Sequence, residues 1–192
     1  MRTKLLSLVV LAASLGSIAH AQQAACARCS ASYIPESEVA AYARRGKVQN
    51  ITDQQIRAVD AGNTNVAAAV VYRPRLTQPG NAAEHDLVSE VYHVISGSAT
   101  LVTGWDIVDK QRRPADYRSV RELNGPGNDG SAIRNGQVHE LKAGDVLFIP
   151  AGVGHQFTKI DDHIEYLMIR VDPDKVTPTK DAAASAADLR GQ

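Results

Sequence analysis

The spacing of hydrophobic and polar positions changes at about residue 54 of the chain. Beyond this point, short runs of four to eight residues, apolar or alternating, are mostly separated by glycine, asparagine or aspartate. Such runs are typical of strands, because alternate side chains of a strand face opposite sides of a sheet. The predicted strands are Ile56–Asp60, Val66–Tyr72, Val88–Ile95, Ala99–Thr103, Val138–Leu141, Val146–Ile149, His155–Ile160 and Ile164–Val171. Short strands with no helical period between them predict an all-β fold, a small antiparallel β-barrel or jelly roll.

One helix is predicted before the strands. The stretch "PESEVAAYARR", Pro35–Arg45, begins with proline and two acids, ends with two arginines and is followed by Gly46. This is the order of charges and end signals that a short helix prefers. Between the predicted strands, residues 104–137 form a long polar insertion, and a connection of that size is either functional or mobile.

The first residues carry the pattern of a secretory signal. Arg2 and Lys4 precede an apolar run over residues 5–18, and Ala19 and Ala21 are small residues at the positions that a signal peptidase reads. These 14 residues are fewer than the ~20 that cross a bilayer, so an uncleaved anchor is disfavoured. We therefore expect cleavage and a periplasmic or secreted protein.

The predicted organisation has four parts. A signal peptide is followed by an N-terminal arm that contains the helix, then by the β-barrel, and finally by a tail with a short helical stretch. Their ranges are 1–21, 22–53, 54–172 and 173–192.

Charge gives no sign of a polyanionic partner. The chain has 21 basic and 21 acidic residues, and cleavage of the leader would leave 19 against 21. A balance this close does not steer nucleic acid or an anionic membrane towards the protein by bulk charge. The expected partner is a small-molecule substrate, with no nucleic acid and, after cleavage, no membrane.

Both cysteines, Cys26 and Cys29, lie in the short stretch "CARC". In an exported protein a disulfide is the first expectation, although so short a loop contributes only about 2 kcal/mol. A free thiol pair is an alternative. A redox or zinc site is less favoured, because no strand precedes the pair and zinc would need two further ligands.

The stretch "GDVLFIPAGVGHQF", residues 144–157, places a histidine after a tightly constrained turn. The apolar strand Val146–Ile149 is followed by one proline and two glycines, and His155 opens the next strand. Such a turn aims the imidazole into the barrel rather than along its surface.

A second stretch, "EHDLVSEVYHVISGSATLV", covers residues 84–102. Alternation along its strand places Glu90 and Tyr92 on one face. His85 shares that face only if a bend or bulge intervenes. Gly97 predicts a tight hairpin into the next strand.

These residues resemble the two motifs of the cupin family. The second motif, G-x5-P-x-G-x2-H, is complete, and the first, H-x-H-x3-4-E-x6-G, is met in part. The matching residues are Gly144, Pro150, Gly152 and His155 in the second motif and His85, Glu90 and Gly97 in the first. The resemblance covers about residues 54–172 and implies a small antiparallel β-barrel that holds one metal ion with histidines and a glutamate.

The first motif departs from the family pattern. The first histidine of the pair is Ala83 here, so one usual ligand is absent. With the shorter spacing, Asp86 takes the place of the second histidine and Glu84 that of the first, which needs no bend before Glu90. We favour His85, because it keeps an imidazole where the family has one.

The residues also favour a metal on physical grounds. His85, Glu90 and His155 would all point into the barrel, and burying unpaired ionisable groups costs several kcal/mol each. A divalent cation removes this difficulty. Two imidazoles and one carboxylate leave coordination positions open, which suits Fe(II) and is tolerated by Mn, Ni, Co or Zn. The alternative is a structural histidine in a barrel that has lost its ion.

Three functions compete for such a site. The leading hypothesis is a dioxygenase, an oxidoreductase whose metal receives both substrate and O2, with Tyr92 donating a hydrogen bond to the substrate. An isomerase, lyase or hydrolase would use the metal only as a Lewis acid. The third is a non-catalytic exported module that binds a small molecule.

The opposite face of the same strand predicts assembly. Val91, His93 and Ile95 face away from the site on a surface that should otherwise be polar. Related barrels commonly pair through such sheets, so we expect a homodimer. Outside the predicted leader, the remaining histidines, His139 and His163, lie at strand starts and are expected to be solvated.

Overall fold

The computed structural model describes Cys26 and residues 29–191. The predicted signal peptide, residues 1–21, lies outside the described residues. In chain order the elements are α1 (Glu36–Gln49), β1 (Asp53–Asp60), β2 (Asn65–Pro74), β3 (Ala82–His85), β4 (Ser89–Gly104), β5 (Asp106–Val108), β6 (Gln111–Arg112), a π-helix (Ser119–Asn124), β7 (Gly127–Gly130), β8 (Ala132–Arg134), β9 (Gln137–Lys142), β10 (Val146–Ile149), β11 (Gly154–Lys159), β12 (His163–Asp172) and α2 (Ala182–Arg190).

The strands form two antiparallel sheets that share β4. The first sheet has the order β1-β2-β12-β4-β10, and the second has the order β9-β4-β11-β3-β7-β6. Strands β5 and β8 form a separate two-stranded ribbon. The prediction of an all-β barrel with a short N-terminal helix is confirmed.

Strand β4 passes from one sheet to the other at Gly97. Residues 89–97 pair with β12, and residues 98–104 pair with β9 and β11. The predicted hairpin at Gly97 is therefore wrong, because this glycine bends a continuous strand instead. It has φ of 76°, and a Cβ atom there would overlap the backbone carbonyl of His163. Positive φ suits a bend as well as a turn, and the close approach of β12 requires glycine.

The main hydrophobic core lies between the two sheets. Tyr92 of β4, Phe157 of β11 and Tyr166 of β12 stack there, with the ring centroids of the two tyrosines 4.4 Å apart. Leu101 and Ile164 are fully buried beside them. This aromatic cluster forms a wall of the site described below.

Helix α1 is longer than the sequence predicts. It continues through Gly46 and ends at Asn50, whose φ of 55° is left-handed. Gly46 was expected to end the helix, but it is buried within the helix. Only glycine fits at this position, because a Cβ atom would lie 3.0 Å from the carbonyl oxygen of Ile51 and 2.5 Å from the side-chain amide of Gln54. The glycine serves close packing, and Asn50 supplies the helix end.

The last residues form a helix that packs on the barrel. Tyr42 of α1 donates a hydrogen bond to Asp188 of α2 at 3.0 Å, and Lys180 binds the same carboxylate at 2.6 Å. Cys26 and Cys29 are joined by a disulfide, as first expected. Among the residues that the structure describes, no helix has the length and apolar character needed to cross a membrane.

Candidate metal centre

A cavity of about 250 Å³ lies between the two sheets. Strands β1, β2, β3, β4, β11 and β12 line it with inward-facing side chains. The long insertion supplies the remaining wall through Arg113, Ser119, Asn124 and Asp129. The insertion therefore forms part of the cavity wall. Its sequence alone did not decide whether it is functional or mobile.

Three buried side chains converge in this cavity. His85 ends β3, Glu90 lies on β4 and His155 lies on β11, and one ligand atom from each falls within 4.8 Å of the other two. The chain bends at residues 86–87, which brings His85 to the face of Glu90. Ala83 pairs with His155 and also lines the cavity, so the position of the missing histidine adjoins the site.

The shorter motif spacing does not match the geometry. Arg112 donates a hydrogen bond to the Asp86 carboxylate at 2.5 Å, and this carboxylate does not line the cavity. Glu84 is buried elsewhere, where it accepts a hydrogen bond from Asn128 at 2.6 Å. The structure thus places His85, rather than Asp86, beside Glu90.

His155 presents a lone pair to the carboxylate of Glu90. Its Nδ1 lies 3.4 Å from the carbonyl oxygen of Val153, which only accepts hydrogen bonds, so Nδ1 carries the ring proton. Nε2 then faces Glu90 Oε2 at 3.7 Å. Burial lowers the pKa of His155 to about 4, which outweighs the opposing effect of Glu90. At neutral pH two lone-pair atoms therefore face each other with no proton between them, an arrangement that a cation stabilises.

His85 is held in the opposite tautomer. Arg113 Nη1 lies 3.1 Å from His85 Nδ1, and an arginine has donors only, so Nδ1 accepts. The neutral ring then carries its proton on Nε2, which faces Glu90 Oε1 at 3.4 Å. To bind a metal through Nε2, His85 must move its proton to Nδ1, and Arg113 must release that atom. Metal-bound histidines usually donate their second N–H to an acceptor.

Glu90 is the negative centre of the cluster. It accepts a hydrogen bond from the hydroxyl of Tyr92 at 2.7 Å, and Arg170 Nε lies 3.6 Å from its other oxygen. Burial alone would raise the pKa of Glu90, but His85, His155 and Arg170 together hold it well below its usual range. Glu90 is therefore ionised at neutral pH and available as a ligand.

Tyr92 faces the cavity, as alternation predicts. Burial, and then the nearby charge of Glu90, raise the pKa of Tyr92 well above its ordinary value, so its hydroxyl stays protonated. Its hydrogen bond positions Glu90. A catalytic role for Tyr92 towards a substrate stays a prediction.

Sequence reasoning missed three basic residues around the cluster. Arg113 lies in the insertion and pairs with Asp129 at 2.8 Å, and Arg170 of β12 pairs with Asp53. Arg73 of β2 stacks over the ring of Phe157 at 4.7 Å. Alternation could have indicated Arg73 and Arg170, which follow Val71 and Met168 of the predicted strands by two positions and so share their inward faces, whereas Arg113 had no such signal.

The other three histidines among the residues that the structure describes lie outside the cavity. His93 is exposed on the outer face of β4, as alternation predicts. His139 and His163 are half-buried and form hydrogen bonds with Thr103 at 2.9 Å and Ser96 at 3.1 Å. They are therefore less solvated than the sequence suggested.

Two antiparallel sheets share a strand, and both motif stretches meet at one buried cluster between them. The chain has the cupin fold. A family model described as an AraC-like ligand binding domain matches residues 130–187, which is less than half of the chain. No curated protein sequence matches it significantly.

Several solved structures resemble this chain weakly. The EutQ protein of Clostridium difficile is 13% identical over 64% of this chain and 68% of its own, with a TM-score of 0.38. An RmlC-like cupin of Methanocaldococcus jannaschii is 16% identical over 65% and 85%, with a TM-score of 0.38. The DMSP lyase DddQ of Ruegeria pomeroyi is 16% identical over 69% of this chain but only 53% of its own, with a TM-score of 0.40. Likenesses this weak carry no information about activity.

Proposed function

We propose that this chain is an exported, metal-dependent cupin enzyme that acts as a dioxygenase on a small organic molecule. The main support for a bound metal ion is the approach of His155 Nε2 to Glu90 Oε2 at 3.7 Å. Neither atom bears a proton at neutral pH, so a cation between them would stabilise the pair. Export rests on the pattern of residues 1–21 alone.

The donor set fits a divalent cation. Two imidazoles and a carboxylate suit Fe(II), and also Mn, Ni, Co or Zn. Bound there, Fe(II) would supply open positions for a substrate and O2. His155, Glu90 and His85 would hold the ion, and Tyr92 would keep the Glu90 carboxylate in place through its 2.7 Å hydrogen bond.

The remaining groups in the cavity favour oxygen chemistry over proton transfer. Apart from the triad, the carboxylates that line the cavity within the described residues are those of Asp53 and Asp129. Each forms an ion pair with an arginine, so neither is free to act as a base. Tyr92 and Tyr166 are protonated, since burial first of all raises the pKa of each. A lyase or isomerase that removes a proton from its substrate gains rate from a positioned general base, whereas a dioxygenase can act without one.

The size of the cavity and the partial family match support a small ligand. A volume of about 250 Å³ corresponds to about eight water molecules at ~30 Å³ each. The matched family model is described as a ligand binding domain. A molecule of roughly that many heavy atoms fits this space.

A non-catalytic binding module is the second candidate, and one contact favours it. Arg113 donates to the Nδ1 atom of His85 and so places the ring proton on the atom that would otherwise bind the metal. If Arg113 keeps this contact, His85 acts as a hydrogen-bond donor, and only His155 and Glu90 remain as ligands.

Oxygen consumption separates these functions. The chain would be loaded with Fe(II) without oxygen and then mixed with O2 and a panel of small carboxylic acids. We expect O2 uptake with at least one acid, incorporation of 18O into its product, and loss of both in Glu90→Gln but not in His93→Gln. Product without O2 uptake would favour a lyase, isomerase or hydrolase. Tight binding without turnover would favour the binding module.

A further inference from the structure

Arg73 presents an unpaired guanidinium to the cavity. Its Nε lies 3.3 Å from the hydroxyl of Tyr166, and its Cζ lies over the ring of Phe157, 4.7 Å from the ring centroid. Within the part of the chain that the structure describes, its terminal nitrogens have no hydrogen-bond partner and no carboxylate lies within 4.0 Å. The other two arginines of the site, Arg113 and Arg170, are both paired with aspartates.

The residues around Arg73 orient its guanidinium so that it can bind a planar anion. An aromatic ring beneath the guanidinium and a tyrosine on its Nε fix the orientation of the side chain. The edge that remains carries two parallel N–H donors, which match the two oxygens of a carboxylate.

The charge of the site favours the same ligand. The three arginines Arg73, Arg113 and Arg170 balance the three carboxylates of Asp53, Glu90 and Asp129. A divalent ion at the triad would leave the cavity with an excess of two positive charges. An anionic ligand reduces this excess, so metal and anion should each strengthen the binding of the other.

Two acceptors that line the cavity have no partner. The Oδ1 atoms of Asp53 and Asn124 are buried from solvent and accept no hydrogen bond within the described residues. A buried acceptor left without a donor costs about 1–3 kcal/mol, so a ligand that donates here gains affinity. Asn124 ends the π-helix, an element that often marks a functional site.

We infer that the cavity binds a small monocarboxylate that also carries a hydroxyl or ammonium group. Its carboxylate binds Arg73, and its donor group reaches Asp53 or Asn124. The gain in affinity on metal loading rests on the proposed function, whereas the contact with Arg73 does not.

Calorimetric titration with 3-hydroxybutyrate, butyrate and butyramide tests this inference. The three probes have similar size and differ in charge and in the donor group. Each would be titrated into the wild-type chain and into Arg73→Gln, Arg73→Lys and Arg75→Gln, both without metal and with Zn(II). Arg75 is the matched control, since it lies two positions from Arg73 and is exposed. Circular dichroism would check that each variant is folded.

We expect wild type to bind butyrate about 10- to 100-fold more tightly than butyramide, the range for a charge-assisted hydrogen bond. 3-Hydroxybutyrate should bind more tightly still. Arg73→Gln should lose the preference for charge, Arg73→Lys should keep part of it, and Arg75→Gln should behave as wild type.

Several outcomes would overturn the inference. These are equal binding of butyrate and butyramide by the wild type, no binding of either acid at millimolar concentration, or a preference that survives in Arg73→Gln. If 3-hydroxybutyrate binds no more tightly than butyrate, the inferred contact between a donor group of the ligand and Asp53 or Asn124 is wrong. Failure of Zn(II) to bind contradicts the proposed function alone, because the charge preference would then still be measured without metal.

Discussion

Replacing His155 with glutamine should remove a pH-dependent part of the stability of the metal-free chain. Burial lowers the pKa of His155 from 6.5 to about 4. Between these pH values the unfolded chain binds a proton at His155 that the folded chain does not bind. The free energy of unfolding therefore contains a contribution that is complete above about pH 6.5 and is lost as the pH falls towards 4.

The structure sets the size of this effect. A difference of 2.5 between the two pKa values corresponds to about 3 kcal/mol at 1.36 kcal/mol per unit. Urea unfolding of the wild type and of His155→Gln, in the presence of a chelator at pH 7, 6, 5 and 4, would measure it. Between pH 7 and pH 4, the wild type should lose about 3 kcal/mol more than the variant.

The control is His93→Gln, which changes an exposed histidine on the outer face of β4. This variant should follow the pH dependence of the wild type. If His155→Gln also follows the wild type, His155 is protonated or solvated in the folded chain, and the argument for a cation beside Glu90 fails.

Three further predictions concern the fold, assembly and export. Gly97→Ala should lower the free energy of unfolding in urea by about 2 kcal/mol or more. The control, Gly144→Ala, should lose less, because Gly144 also has positive φ but no atom lies within 4 Å of its Cβ position. Equal losses in the two variants would contradict the overlap with His163. Phe148 is 71% exposed beside the outer face of β4 and is therefore expected to lie in the homodimer interface. Light scattering should show a dimer for the wild type and a monomer for Phe148→Glu. A wild type that is monomeric at micromolar concentration would contradict the predicted homodimer. Intact-mass measurement of exported chain should give an N-terminus at Gln22, whereas full-length chain in the membrane fraction would contradict cleavage.

Five of the six strands that line the site, β1, β2, β4, β11 and β12, could be predicted because one of their faces is buried, whereas β3 (Ala82–His85), which carries His85, was not predicted. Alternation placed Glu90 and Tyr92 on one face, and both side chains are buried. Strands such as β6 (Gln111–Arg112) could not be predicted, since they are short and polar and exist only by pairing with β7. Gly97 was misjudged because its positive φ serves turns and bends alike.

The candidate ligands could be proposed from the sequence, but their surroundings could not. The resemblance to the two cupin motifs pointed to His85, Glu90 and His155 as one cluster. The contact between Arg113 and His85 depends on the path of the insertion across the cavity, and no local pattern specifies that path. Arg113 decides which nitrogen of His85 carries the proton, so the least predictable residue has a large effect on the chemistry.

Metal content tests the central claim most directly. The chain would be purified without a chelator or a histidine tag, offered Fe, Mn, Ni, Co and Zn in turn, and assayed by elemental analysis after removal of free ions. We expect one divalent ion per chain in the wild type and in His93→Ala, and none in His155→Ala or Glu90→Ala, with the β-rich fold retained in each. A wild-type chain that binds none of these ions at micromolar concentration would contradict the metal centre.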